Sequence, residues 1–293
     1  MKRAFWTILM VTILCSCGPS RRNVIVVGSK NFTEQVILGE IVAQYLHQQT
    51  GLQVERRFYL GGTYICQQAL LAGRIDVYVE YTGTALTAIL KQPIQHNAED
   101  VYNTVKSLYA QRFNLNVMPP LGFNDTFVLV VRGETARKDH LKTISDAVRY
   151  AVHWRPGFGY EFMEREDGYL GLVKTYGLKF GAQPRIMDLG LLYRALLDRQ
   201  VDVVAGNSTD AQLEARDFIV LQDNKHYFPP YQAVPIVRTP TLSEHPAMYA
   251  ALEDLAGKIS DEEMRHMNYE VAAQHRDVAD VVREFLSAKK LVP

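Results

Sequence analysis

Between Val24 and Leu90 the chain alternates short apolar runs with helical stretches that end in glycine, and this alternation leaves few folds open. Val24–Val27 reads as a buried strand, and a helix from about Thr33 to Gln49 carries Ile37, Ile41 and Tyr45 on one face before Gly51 stops it. Leu52–Leu60 reads as a second strand. Gly61-Gly62-Thr63 turns into a helix through Ala72 that Gly73 ends, Ile75–Tyr81 is a third strand, and Thr82-Gly83-Thr84 opens another helix. Strands separated by such helices imply parallel pairing with right-handed crossovers, and ligands in these sheets sit beyond the carboxyl ends of strands. The turn Gly28-Ser29-Lys30-Asn31-Phe32-Thr33-Glu34-Gln35 belongs at that edge, as does Tyr81–Thr84. The first turn is expected to form one wall of a ligand cleft. Asn31 is placed to cap the helix, Glu34 to close a capping box, and Lys30 to act as a mobile cation at the mouth.

Further along, helices are expected over about Ala98–Phe113, Ser145–Val152, Tyr169–Tyr176 and Leu191–Leu197. Strands are expected at Phe127–Val131, Arg185–Met187, Val201–Ala205, Phe218–Leu221 and Val234–Val237, with a last group of helices, one starting at Ser260 with Glu263 as its capping partner. Pro119-Pro120 and Pro229-Pro230 bracket a middle α/β unit the size of a small domain. The simplest organisation is a leader and linker at residues 1–22, a first lobe from 23–120 and 227–293, and a second lobe from 121–226, closing by hinge motion. The competing reading makes the prolines loop markers in one continuous sheet.

The 293 residues are 47% hydrophobic and carry a formal net charge of +0, so there is no basic surface of the kind that nucleic acid requires. Lys2 and Arg3 precede the apolar stretch Ala4–Leu14, which has the layout of a secretory signal. It ends Leu14-Cys15-Ser16-Cys17-Gly18, which resembles a bacterial lipobox with Cys17 as the lipidated residue; the alternative is a plain secreted protein cut nearby. Three cysteines make no disulfide framework, and Cys66 reads as a small core residue. The eight histidines are scattered and no nucleophile elbow or phosphate-binding Walker loop occurs, so neither metal, cofactor nor enzymatic activity is expected. Asp76 and Glu80, on alternate positions of one strand, suggest a carboxylate pair, but Glu80 reads better as a hinge or sheet-edge group.

Three of these stretches, Gly28–Gln35, Leu60-Gly61-Gly62-Thr63 and Tyr78-Val79-Glu80-Tyr81-Thr82-Gly83-Thr84, resemble the substrate-binding proteins of osmoprotectant ABC importers. Leu121-Gly122-Phe123-Asn124-Asp125, Gln200–Val204 and Pro229-Pro230-Tyr231 extend the likeness in order from about Val24 to Leu291. The resemblance implies a type II periplasmic-binding-protein fold, an extracytoplasmic membrane-anchored lipoprotein, and permease and ATPase partners. It implies a solute such as glycine betaine, choline or another quaternary amine. An ammonium without N–H groups must be held by ring faces, each worth about 0.5–2 kcal/mol, while its carboxylate takes charge-assisted bonds.

Carried over by position, the carboxylate side is Lys30, Thr84 and Arg165, with Gln35 beside them. The aromatic wall includes Tyr81 and Tyr231. Two further cage tyrosines are replaced, by Phe127, which keeps a ring face, and by Asn207, which offers an amide. Ergothioneine and other modified betaines therefore stand beside glycine betaine as expected solutes. Asp125 at the edge of the site either stabilises the cation or caps a loop, and Arg165 has a solvated ion pair as its alternative. A ligand-sensing lipoprotein without transport is the competing function. Phe158 and Tyr160, in the segment Pro156–Tyr160, are further candidates for the cleft lining, whereas Tyr45, Tyr109 and Tyr150 fall at helical packing positions.

Overall fold

A computed structural model describes residues 24–291; the signal stretch and Cys17 lie outside the described residues. Three strands open the chain, β1 (Val24–Lys30), β2 (Gln53–Gly61) and β3 (Val77–Tyr81), and β4 (Leu115–Val117) follows. The next are β5 (Phe127–Arg132), β6 (Pro156–Phe158), β7 (Arg185–Ile186), β8 (Val203–Asn207) and β9 (Phe218–Leu221), and β10 (Ala233–Arg238) is last. They form two five-stranded sheets, ordered β2-β1-β3-β10-β4 and β7-β6-β8-β5-β9. One sheet therefore uses strands from both ends of the described chain and the other only strands from its middle. The polypeptide passes between them twice, over residues 118–126 and 222–232. Both sheets are mixed: β1 pairs in parallel with β2 and β3, whereas β10 runs antiparallel to β3, and β5 runs antiparallel to β8.

Strand β3 is buried along its length because helices cover both faces of its sheet. Val77, Val79 and Tyr81 pack toward Ile37, Ile41 and Tyr45 of the helix α1 (Thr33–Thr50). The intervening Tyr78 packs toward Leu86, Tyr109 and Ile236. This two-sided covering explains near-continuous apolar runs where a half-solvated strand would alternate. Gly51, at φ 70°, ends α1 and leaves its N–H to bond His47 O. Ala98–Phe113 and Asp261–Ala272 are helical as expected, the first capped by the Asn97 side chain and the second by the reciprocal Ser260–Glu263 box that the sequence predicts. The helix expected near Ser145–Val152 is shorter: Ile144–Ala147 is α-helical, and the chain tightens into a 3-10 turn at Ala151–His153.

The start of α1 differs from expectation in a way that matters for the site. Phe32 is the N-cap residue, no side chain caps the helix, and Asn31 makes no such bond. Glu34 does not close a capping box, because its carboxylate is buried and taken by the Tyr81 hydroxyl at 2.6 Å, Thr209 Oγ1 at 2.5 Å and Asn268 Nδ2 at 2.8 Å. Tertiary donors in a dry site outcompete a local cap that water could equally well supply.

The first passage between sheets depends on Gly122, held at φ 121°. A Cβ there would stand 2.6 Å from Ile259 O and 2.8 Å from Gly257 Cα, both backbone atoms unable to step aside. Gly122→Ala is expected to cost about 1–3 kcal/mol, read as a lower urea midpoint with unchanged slope.

Candidate functional site

Between the two sheets lies a cavity of about 460 Å³. Strand ends supply much of its wall: Lys30 ends β1, Tyr81 ends β3, and Asn207 ends β8. Phe127 begins β5, yet the antiparallel register pairs it with Asn207, so both stand at the same edge. Asp125 and Tyr231 come from the two passages between sheets, Thr84 from the turn after β3, and Arg165 from the end of the short helix Tyr160–Glu164. All eight line the cavity. Gln35 does not: it is fully buried, one residue and about 100° further around α1 than Glu34. Tyr160 lines the cavity, whereas Phe158 is buried in the core against Phe162.

One side of the cavity holds two cations, and each brings its own anion. Lys30 is only 3% exposed and is ion-paired with Glu80 while donating to Thr63 Oγ1 at 3.1 Å, so it is a fixed group and not a mobile one. Glu80, fully buried in the middle of its sheet, is the counter-charge of Lys30 and no sheet-edge group. Arg165 is 5% exposed and grips Asp167 through Nε at 2.9 Å and Nη2 at 2.5 Å, with Nη1 on Thr84 Oγ1 at 3.0 Å. Burial alone would lift the Asp167 carboxyl, but the Arg165 guanidinium outweighs it and holds the group below the usual carboxylate range. The solvated ion pair considered for Arg165 is thus a dry, bidentate one. Lys30 retains a third ammonium N–H beyond these two bonds.

The other side holds carboxylates without cations. Glu34 and Asp125, 4% and 5% exposed, meet at the Thr209 hydroxyl, whose Oγ1 is 2.5 Å from Glu34 Oε2 and 2.7 Å from Asp125 Oδ1. Asp210 is partly buried and accepts from the Tyr193 hydroxyl at 2.7 Å and from the Asn207 N–H at 2.8 Å. Among the described residues none of the three has an ion pair. Burial raises Glu34, against the opposing hydrogen bonds of Thr209, Tyr81 and Asn268. Burial and then the Glu34 and Asp210 charges push Asp125 well up, and burial raises Asp210.

Aromatic rings stand against both cations, and one of them, Tyr81, joins the two sides. Lys30 Nζ lies 4.7 Å from the Tyr81 ring centroid, and the hydroxyl of that same ring donates to Glu34. The Arg165 guanidinium lies 5.0 Å from the Phe127 ring and 5.6 Å from that of Tyr231, whose hydroxyl donates to Asp167. Tyr231 fits against the end of β3 because Gly83 has no Cβ; one there would stand 2.7 Å from its ring. Sequence reasoning placed Glu34 in a wall of the cleft but gave its carboxylate to a helix cap, and it missed Tyr193, Asp210 and Asn268. Asp210 lies three positions beyond Asn207, which the sequence did single out, but Asn268 sits on a helix whose pattern shows only a cap and an apolar face.

Carboxyls raised by burial favour the folded protein while protonated. Their stabilisation is full below the ordinary values of 3.8 and 4.5 and is lost as pH rises through the raised values. Near neutral pH the cluster therefore costs stability. Asp125→Asn, which removes one charge and keeps the shape, is expected to stabilise the unliganded protein near neutrality by about 1–2 kcal/mol, at about 2–4 °C in Tm for each kcal/mol. The gain should shrink near pH 4, as thermal melts at both pH values will show.

A family model described as the substrate binding domain of an ABC-type glycine betaine transport system matches residues 23–288. The carnitine transport binding protein OpuCC of Listeria monocytogenes is 34% identical, over 97% of this chain and 95% of its own. The ergothioneine transport permease/ergothioneine binding protein EgtU of Helicobacter pylori is 35% identical over 89% of this chain, a match that spans 47% of that longer protein. A crystal structure titled as a glycine betaine/carnitine/choline ABC transporter superposes with a TM-score of 0.77 at 32% identity, covering 91% of this chain and 99% of that one. With its two mixed sheets, paired passages and interlobe cavity, the chain belongs to the substrate-binding domains of ABC-type glycine betaine transport systems, a solute-binding component and not an enzyme.

Proposed function

We propose that the protein captures a quaternary amine or betaine outside the cytoplasmic membrane and delivers it to an ABC permease driven by its ATPase. One observation carries this reading. The Tyr81 ring stands between Lys30, already neutralised by Glu80, and the unpaired carboxylate of Glu34, and the rings of Phe127 and Tyr231 stand against Arg165, already neutralised by Asp167. The surplus charge at the cavity is negative, which favours a cationic solute group. Ring faces then hold methylated nitrogen, whose lack of N–H groups rules out hydrogen bonds. The remaining N–H of Lys30, the Thr84 hydroxyl and the Arg165 N–H groups not taken by Asp167 and Thr84 serve a carboxylate where the solute has one.

A modified betaine of the ergothioneine kind is the second reading. It is favoured by the amide of Asn207 beside Phe127 in the sheet register and by the likeness to the ergothioneine binding protein of Helicobacter pylori. Attachment is proposed through acylation of Cys17, with further contacts at the membrane surface giving stable anchoring.

Calorimetry with glycine betaine, choline and ergothioneine tests the cage. Tyr231→Ala is expected to weaken binding of the best solute by at least about tenfold, the scale of a desolvated ring–cation contact. Tyr109→Phe should leave it alone, since among the described residues the buried Tyr109 hydroxyl has no partner to lose. An unchanged Tyr231→Ala titration removes the cage. Separately, Cys17→Ser is expected to move the protein from the membrane to the soluble fraction on cell fractionation. Retention at the membrane overturns the anchor.

A further inference from the structure

Glu161 crosses from one sheet's side of the cavity to the other. It lies on the short helix Tyr160–Glu164, which follows β6 of the second sheet. Its Oε1 accepts the Thr63 N–H at 2.8 Å, in the first turn of the helix Thr63–Leu71 that follows β2 of the first sheet. That helix has Gly62 as its N-cap residue and no side-chain cap, so its leading N–H finds no local acceptor and takes one from across the cavity. The carboxylate thereby stands at the positive end of the helix. Gly62 makes the approach possible. Its φ of −74° is open to any residue, yet a Cβ there would stand 2.2 Å from Glu161 Oε1. Thr63, fully buried, is tied at its other end to the cation wall, since its Oγ1 accepts from Lys30 Nζ at 3.1 Å.

We infer that Glu161 is a positioning residue, a latch between the lobes that sets the strength of capture by the same factor for every solute. The inference rests on the hinge motion between the lobes and uses the proposed solutes as its probes. Arg165 also crosses the cavity, to Thr84, but both of those side chains belong to the groups proposed to hold a solute carboxylate. The Glu161 bond takes a main-chain donor at the start of a helix and forms with no solute present. A contact made only in the closed arrangement raises the share of protein competent to hold a solute. Apparent affinity follows that share whatever the solute is. Specificity is then left to the rings and charges of the wall, and Gly62 and Glu161 together set the scale on which they act.

The test is calorimetry on the full mature protein with glycine betaine, choline and ergothioneine, joined to small-angle scattering without solute. Glu161→Ala is expected to weaken every solute that binds by one common factor of about tenfold, the scale of a charge-assisted bond. Glu161→Gln, whose carbonyl oxygen still accepts the N–H, should lose less. Gly62→Ala keeps the charge but displaces it, and should match Glu161→Ala; the double variant should lose no more than either alone. Without solute, Glu161→Ala should show a larger radius of gyration than the native protein. A loss confined to one of several bound solutes makes Glu161 a direct solute contact and overturns the latch. Unchanged affinities, or losses that add in the double variant, overturn it too. If the native protein binds none of the three, the proposed function falls and scattering alone decides the latch: equal radii overturn it.

Discussion

Two carboxylates on one hydroxyl hydrogen set the terms for the rest of this molecule. Glu34 comes from the first helix, Asp125 from the first passage between sheets, and Thr209 from the loop after β8. The three meet only when the two sheets stand close together. Burial gives these groups short, strong bonds and at the same time deprives their charge of water. Elsewhere in the cavity the same difficulty is met by pairing, Lys30 with Glu80 and Arg165 with Asp167. Among the described residues no cation pairs with the acid side, so the site's charge is balanced there only when protons or a solute contribute it.

That asymmetry gives each tyrosine a double task. Tyr81 presents a ring to Lys30 and a hydroxyl to Glu34, so its orientation is fixed at both ends. Tyr231 is fixed likewise between Arg165 and Asp167. Rings held this way lose little freedom when a cation docks on them, and a preorganised site spends less of its binding energy on ordering.

Much of the fold was legible because its signals are local. The apolar runs around Val24–Val27 and Ile75–Tyr81, the stop at Gly51 and the cap at Ser260 depend on neighbours in sequence, and the structure keeps them. The motif positions likewise led to Tyr81, Phe127, Arg165, Asn207 and Tyr231 around one cavity. The errors share a physical origin. Glu34 fits a helix cap and Glu80 a sheet edge when only adjacent residues are considered. Their actual partners are Thr209 and Asn268 for the first and Lys30 for the second, 175, 234 and 50 positions away. Asn268 lies on a helix whose pattern reports packing, so its bonds to Glu34 and Thr209 leave no trace in the sequence.

In the hinge motion proposed for this chain, closure would be governed by what the two sheets exchange across the cavity. Arg165 reaches Thr84, Asp167 reaches Tyr231, and Glu161 accepts the Thr63 N–H at 2.8 Å. These bonds favour the closed arrangement whatever solute is present, so they cannot by themselves make closure depend on it. The uncancelled carboxylates act the other way, because closing buries them. A solute shifts the balance only by the difference between its contacts in the two arrangements, and a cation placed against the acid side supplies that difference where the penalty of closing is greatest. In the proposed hinge motion, recognition of charge and the trigger for closure would be one event at one group of residues, and a neutral solute that merely filled the cavity would leave the penalty in place.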